Sequence, residues 1–159
     1  MASTSERIYV ARPSAAQTSS VAVATVAATA KTVVCVIGSS TDSICLKGFS
    51  VSFASVTATD VPALIEVGII TALGTSTATT PVQTSGHTLA SSATAGYSHT
   101  VEPTYNRVFR AHHVPVNNGV YEFYYPLGEE PQCDISQGFG LRITSPQAQS
   151  VFANLIYSE

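Results

Sequence analysis

YEFYYPLGEEPQCDISQGFGLRITSP, residues 121–146, carries two strand signals and a turn in one short run. Tyr121, Phe123 and Tyr125 alternate with Glu122 and Tyr124, which sets three aromatics on one face of an extended chain and a mixed set on the other. Pro126, Gly128 and Pro131 mark PLGEEP as a turn. Leu141 to Thr144 then resumes as a second strand behind glycines. Strand, rigid turn, strand is an all-β signature.

The same rhythm extends outward in both directions. Val-, Ile-, Tyr- and Phe-rich runs at Arg7–Arg12, Ser20–Val26, Thr32–Ile37, Ile44–Phe53, Pro62–Thr71, Tyr97–Glu102, Arg107–Val114, Gly119–Tyr125, Gly140–Thr144 and Ser150–Tyr157 are separated by Gly, Pro, Ser, Thr and Asn. In Ser20–Val26 the spacing puts Val21, Val23 and Thr25 on one face, and Pro62–Thr71 is apolar enough to be buried on both faces. Ala22–Ala30 is the one segment where a short helix competes, and its β-branched residues favour the strand. Thr32–Ile37 and Ile44–Phe53 flank GSSTDS and read as a hairpin with Cys35 opposite Cys45. Residues 73–98, LGTSTATTPVQTSGHTLASSATAGYS, are small and polar without period and read as an extended arm or one long surface loop. Eight to ten strands without helices must bury one sheet face against another. The expected fold is therefore a jelly-roll-like β-sandwich over residues 19–159, preceded by an extended N-terminal arm and first strand at residues 1–18.

Composition narrows the function classes. Only 11% of the 159 residues are charged, and the net charge is −3. The polar surface is left to Ser and Thr, and the mean hydropathy of +0.23 suits a surface largely covered by partners. The longest weakly polar run, Ser20–Gly38, is interrupted by Thr25, Thr29, Lys31 and Thr32 and falls short of a spanning helix. No membrane partner is expected. Arg107, Arg110, His112 and His113 form the only local cationic cluster, too small to track phosphates, so no nucleic acid is expected either. MASTSERIYVARPS lacks the charged and apolar regions of a secretory signal, and three cysteines do not make a disulfide framework. Both point to a chain made in a cytoplasm.

Chemistry-bearing residues are present but unpatterned. Glu129 and Glu130 are adjacent in a turn and point apart, unlike the carboxylate pairs of glycosidases. His112 and His113 fall on opposite faces of a strand, His87 and His99 lie in or beside the polar segment, and no zinc-like spacing occurs. Serines, His112, Asp42, Asp60 and Asp134 supply the parts of a triad without a nucleophile elbow, phosphate loop or HExxH helix. No metal, cofactor or enzymatic activity is expected. Tyr124 with Tyr97 and Tyr105 offers the parts of a sugar-stacking platform, without tryptophan, while packing accounts for Tyr121, Phe123 and Tyr125.

TVEPT at residues 100–104, YEFYYPLGEEP, GLRITSPQA and the closing VFANLIYSE resemble a group of small virion proteins of tailed bacteriophages and related prophages, and KGFSVSF and ALIEVGIITALGTST look like that group's early core. The resemblance spans Leu46 to Glu159 and contains no catalytic signature. It implies a structural β-sandwich of the particle, a capsid cement or decoration protein located in the virion. Its partners would be the major capsid protein and copies of itself, as a homotrimer. The alternative it leaves is a tail, collar or fibre-associated protein that recognises carbohydrate on a host surface. Under the first reading Tyr124, Pro126, Leu127, Gly128, Glu129, Glu130 and Pro131 of the turn, with Arg7, Tyr9 and Arg12 of the arm, form the interface, and the arm adds a strand to a neighbouring sheet.

Overall fold

The structure, a computed structural model, describes residues 6–14, 21–54, 61–84 and 89–159. Twelve strands run in chain order: β1 (Ile8–Ala11), β2 (Val23–Ala24), β3 (Lys31–Ile37), β4 (Cys45–Phe53), β5 (Ala63–Ala72), β6 (Thr75–Thr79), β7 (Val82–Gln83), β8 (Thr94–Val101), β9 (Thr104–Val114), β10 (Val120–Tyr124), β11 (Gly138–Thr144) and β12 (Ser150–Ser158). They form two sheets, ordered β10-β4-β12-β1-β7 with β2 also on β12, and β6-β8-β3-β11-β5-β9. Every strand pairing is antiparallel. Within this set β10-β4-β12-β1 faces β3-β11-β5-β9, and the chain crosses between the two in jelly-roll order.

Alternation along the strands builds the core. In β12, Val151, Ala153, Leu155 and Tyr157 turn inward while Phe152, Asn154 and Ile156 turn outward. Phe49, Val51, Leu46, Ile65, Val67, Phe139, Leu141 and Ile143 complete the space between the sheets. Each fully buried aliphatic or aromatic side chain contributes about 1.5–3 kcal/mol.

Four local expectations change. First, β3 and β4 are not a hairpin. They belong to opposite sheets, so Cys35 pairs with Gly96 and Gly140 while Cys45 pairs with Ser158, and all three cysteines are free. The symmetric spacing around GSSTDS mimicked a hairpin, but β3 has strands on both sides already. Second, the polar segment 73–98 is not a single loop. It carries β6, β7 and the start of β8, which extend both sheets. Ladder hydrogen bonds hold these strands without an apolar period, because Thr75, Thr77 and Ala78 lie on an exposed edge. Third, no arm leaves the body at residues 8–11, since β1 lies between β12 and β7 of its own sheet. Residues 1–5 and 15–18 of that expected arm, like His87 and Asp60, lie outside the described residues. Fourth, Ser20–Val26 contracts to the two-residue β2. Val23 and Thr25 are buried, but Val21 is exposed and Ala28 takes a positive φ of 53°.

Candidate interaction surface

The connection from β10 to β11 carries the PLGEEP turn across from one sheet to the other. The Glu129 N–H donates to the Pro126 carbonyl at 3.0 Å, and Gly128 sits at φ 88° with no neighbouring atom within 4 Å of where a Cβ would stand. The Tyr125 N–H donates to Lys47 O and the Leu46 N–H to Pro131 O, fastening both ends of the turn to β4. Lys47 pairs with Glu6 at 2.5 Å and Glu130 at 3.2 Å. Partial burial opposes the Lys47 charge, but the two carboxylates outweigh it and leave its pKa raised. Hydrogen bonds from Lys47 and then Ser158 hold Glu6 below the usual carboxylate range. Glu130 is lowered by its own backbone N–H and then by Lys47. Glu129 is exposed and stands outside this cluster, so the adjacent glutamates do not work as a pair.

Beside the turn, register builds an apolar row across the whole outer face of the first sheet. Val82 pairs with Val10, Val10 with Ile156, Ile156 with Gly48, and Gly48 with Tyr124. Paired residues of antiparallel strands point to the same face. At Gly48 a Cβ would stand 2.8 Å from the Tyr124 ring, so glycine is what lets that ring lie down on the sheet. Ile8, Val10, Ile156, Tyr124, Tyr125 and Leu127 line a groove of about 620 Å³, with Glu6, Lys47, Thr84 and Glu130 also on its walls. Leu127 is 92% exposed and Tyr124 56%.

The structure thus brings Tyr124, Leu127 and Glu130 of the expected interface into one groove. Pro126, Gly128 and Glu129 are exposed on the same turn, and Pro131 is half-buried. Arg7 is exposed, and its carbonyl accepts the Glu159 N–H. Tyr9 does not belong to a surface. It is fully buried and stacks on Tyr157 at 5.7 Å, because alternation in β1 turns it inward. Arg12 is half-buried, with its carbonyl accepting the Thr79 hydroxyl at 2.9 Å. The groove residues that the sequence reading did not single out are Ile8, Val10, Lys47 and Ile156. Their signal was available: in IYVA both the inward and the outward positions are apolar.

The second sheet's outer face solves the same problem differently. Gly96, Cys35, Gly140 and Gly68 form a cross-strand row of small residues. Tyr105 lies over it, donating or accepting at the Thr32 hydroxyl at 3.1 Å, and the Arg142 guanidinium covers the ring at 4.7 Å. Arg142 is held by both carboxylate oxygens of Glu66. Burial drives the Tyr105 pKa upward. At the row's end the Cys35 thiol lies 3.1 Å from His99 Nε2. Burial pushes Cys35 up to about 12 and moves His99 down, so the pair rests as thiol and neutral imidazole. Both are enclosed, Cys35 at 0% and His99 at 2% exposure, which denies substrate access.

Along the side between the two sheets, Arg110 lies over Phe123 at 3.4 Å and His112 stacks on Tyr121 at 4.4 Å. The aromatic face of β10 is therefore capped by residues of β9. Asp42 accepts from Ser39, Thr41 and Ser92. Among the described residues no histidine hydrogen-bonds an aspartate or a serine, and no three metal-ligating side chains cluster. Tyr97 is in the core, Tyr105 on one sheet and Tyr124 on the other, so the three do not share a platform.

Fold and surface together define a class: a jelly-roll β-sandwich with one outer face covered by its own side chains and the other left as an open apolar groove. Comparison with protein-family profiles, curated proteins and solved structures returned no match.

Proposed function

We propose that this chain is a structural protein of a bacteriophage particle, a cement or decoration protein that stabilises the capsid through contacts between subunits. The observation that carries the reading is the half-buried apolar row Val82–Val10–Ile156, which runs to Gly48 beneath the Tyr124 ring, with Tyr124 56% and Leu127 92% exposed beside it. A jelly roll is a frequent shell architecture. The resemblance of residues 46–159 to phage virion proteins supports the same reading. The work done is mechanical: burying the groove against the major capsid protein or another copy removes apolar surface from water at about 25 cal/mol per Å². Specific stable interfaces bury roughly 1,200–2,000 Å² in total, and many copies per shell multiply a modest gain at each site.

The test is mass by light scattering on the purified chain, then co-sedimentation with emptied phage heads. A trimer that pellets with heads at high copy number supports the assignment. A monomer that stays in the supernatant overturns it, and pelleting at only a handful of copies moves the protein to the tail.

A further inference from the structure

We propose that His99 is an acid-released latch: when its imidazole takes a second proton, the end of β8 from Ser98 onward comes away from β3 and uncovers the Cys35 thiol. The device is separate from the groove and does not depend on the cement reading.

Register shows what the latch holds. β8 pairs with β3 from Ile37↔Thr94 to Val34↔Tyr97 and no further. Ser98, the next residue, sits at φ 50°, a conformation that residues other than glycine seldom adopt and that persists only where its surroundings impose it. On the other side, the two steps along β6 from Thr75 to Thr77 span four along β8, from Val101 to Tyr97. Tyr97 and His99 would share a face in a regular strand. Here Tyr97 enters the core while His99 lies on the outer face against Cys35. Beyond the ladder, side chains join the end of β8 to β3. His99 Nδ1 lies 3.3 Å from the Thr32 carbonyl and Nε2 3.1 Å from Cys35 Sγ, and the Lys31 ammonium donates to the His99 carbonyl. Glu102 accepts from Lys31 at 2.8 Å and from the Thr32 N–H at 2.8 Å.

Counting protons makes this arrangement pH-sensitive. A carbonyl only accepts, so Nδ1 carries the ring hydrogen and Nε2 receives the Cys35 S–H. A second ring proton has to go on Nε2, where it meets that S–H. The thiol can turn to the Gly96 carbonyl at 3.6 Å, but sulfur is a weak acceptor and does not replace water around an imidazolium only 2% exposed. No carboxylate is free to pair with the new charge. Among the described residues Lys31 and Glu102 are the charged groups facing the ring, from β3 and from the end of β8, and both Glu102 oxygens are already engaged. On the neighbouring strands Tyr105 is bonded to Thr32 and Arg142 to Glu66, while β6 carries no titratable side chain. Burial above all, with Lys31 adding to it, holds the His99 pKa down against Thr32 O and Glu102. Released into water, the ring titrates as an ordinary histidine, so acid favours the released state.

The experiment uses the full chain and dithiodipyridine, a disulfide that labels thiols in acid as well as at neutral pH. Labelling of Cys35 in the native protein is read by peptide mass and divided by its rate in the urea-unfolded chain at the same pH. Between about pH 7.5, where the latch is shut, and about pH 5, below the ordinary histidine pKa of about 6.5, this relative rate should rise up to about 30-fold. The opening is local, so the Cys35 rate should hardly respond to low urea. Cys133, buried in the core, should stay protected and label only with the steep urea dependence of global unfolding. His99→Gln keeps a neutral hydrogen-bonding side chain that cannot take the proton, and should remove the pH step. A wild-type rise of less than about threefold overturns the proposal whether or not the variant folds. So does a single protection and urea dependence shared by Cys35 and Cys133, or an undiminished pH step in His99→Gln.

Discussion

The tyrosine laid across the second sheet's glycine row offers a quantitative test of the packing. A Cβ added at Gly140 would stand 2.5 Å from Tyr105 Oη, 2.9 Å from its Cζ and 3.0 Å from Ile70 Cγ2. Gly140→Ala must therefore lift the ring. That breaks the 3.1 Å bond to the Thr32 hydroxyl, worth about 1 kcal/mol, and adds overpacking strain of roughly 1–3 kcal/mol. The expected loss is about 3 kcal/mol, a shift of the urea midpoint of roughly 1–2 M. In a Tyr105→Ala background the ring is gone. Only the Ile70 methyl remains close, and the roughly 0.5–1 kcal/mol that alanine gains over glycine in a strand offsets it. There Gly140→Ala should change stability by less than about 0.5 kcal/mol. The cycle thus predicts a coupling near 3 kcal/mol. Urea unfolding followed by tyrosine fluorescence suffices, since the chain has seven tyrosines and no tryptophan. Additive effects of the two substitutions, or a harmless Gly140→Ala in the wild-type background, would refute the packing argument.

Further predictions concern the groove, the buried histidine and the thiols. Leu127→Asp should leave folding stability within about 0.5 kcal/mol, as befits a surface site, yet abolish pelleting with heads. Unimpaired pelleting would take the groove out of the cement reading. Burial lowers the His99 pKa, with Thr32 O and Glu102 opposing the shift and Lys31 adding to it. A histidine lowered on folding binds its proton more tightly when unfolded. Stability should thus fall as pH drops below about 6.5 toward the folded-state pKa, by at most about 1.4 kcal/mol per pH unit. His99→Gln should flatten that slope, and equal slopes in urea melts of the two proteins would contradict it. Glu102, lowered despite burial by Lys31 and Thr32, acts in a separate window, losing its contribution only below about pH 4.5. Cys45 alone is half-exposed, so a thiol reagent should label it first in the native protein, with Cys35 and Cys133 protected until unfolding. Prior labelling of Cys35, read by peptide mass, would show that the His99 cover opens readily.

Much of the architecture was legible locally because a strand announces itself by period. Alternation in Tyr121–Tyr125 and in Ser150–Tyr157, with proline and glycine between, specified strands, inward faces and a turn, and a sheet's need for cover then required a sandwich. The turn half of the groove was equally plain: Leu127 between Pro126 and Gly128 has no strand to hide in. Partnership was not local. Which strand lies beside β3 is settled by loop closures and packing over the whole chain, so a symmetric run around GSSTDS could mimic a hairpin that the fold does not form. Strands β6 and β7 and the start of β8 escaped notice because main-chain bonding to a neighbour holds them, and that leaves no mark on side-chain polarity. The rows that define the two outer faces are products of register. Val10, Ile156, Gly48 and Tyr124 come from four separate strands, as do Gly96, Cys35, Gly140 and Gly68. Cys35 and His99 meet across 64 residues of chain. Side-chain period is written along one strand, whereas neighbourhood exists only once the strands are side by side, and tertiary structure alone decided which face would be closed and which left open.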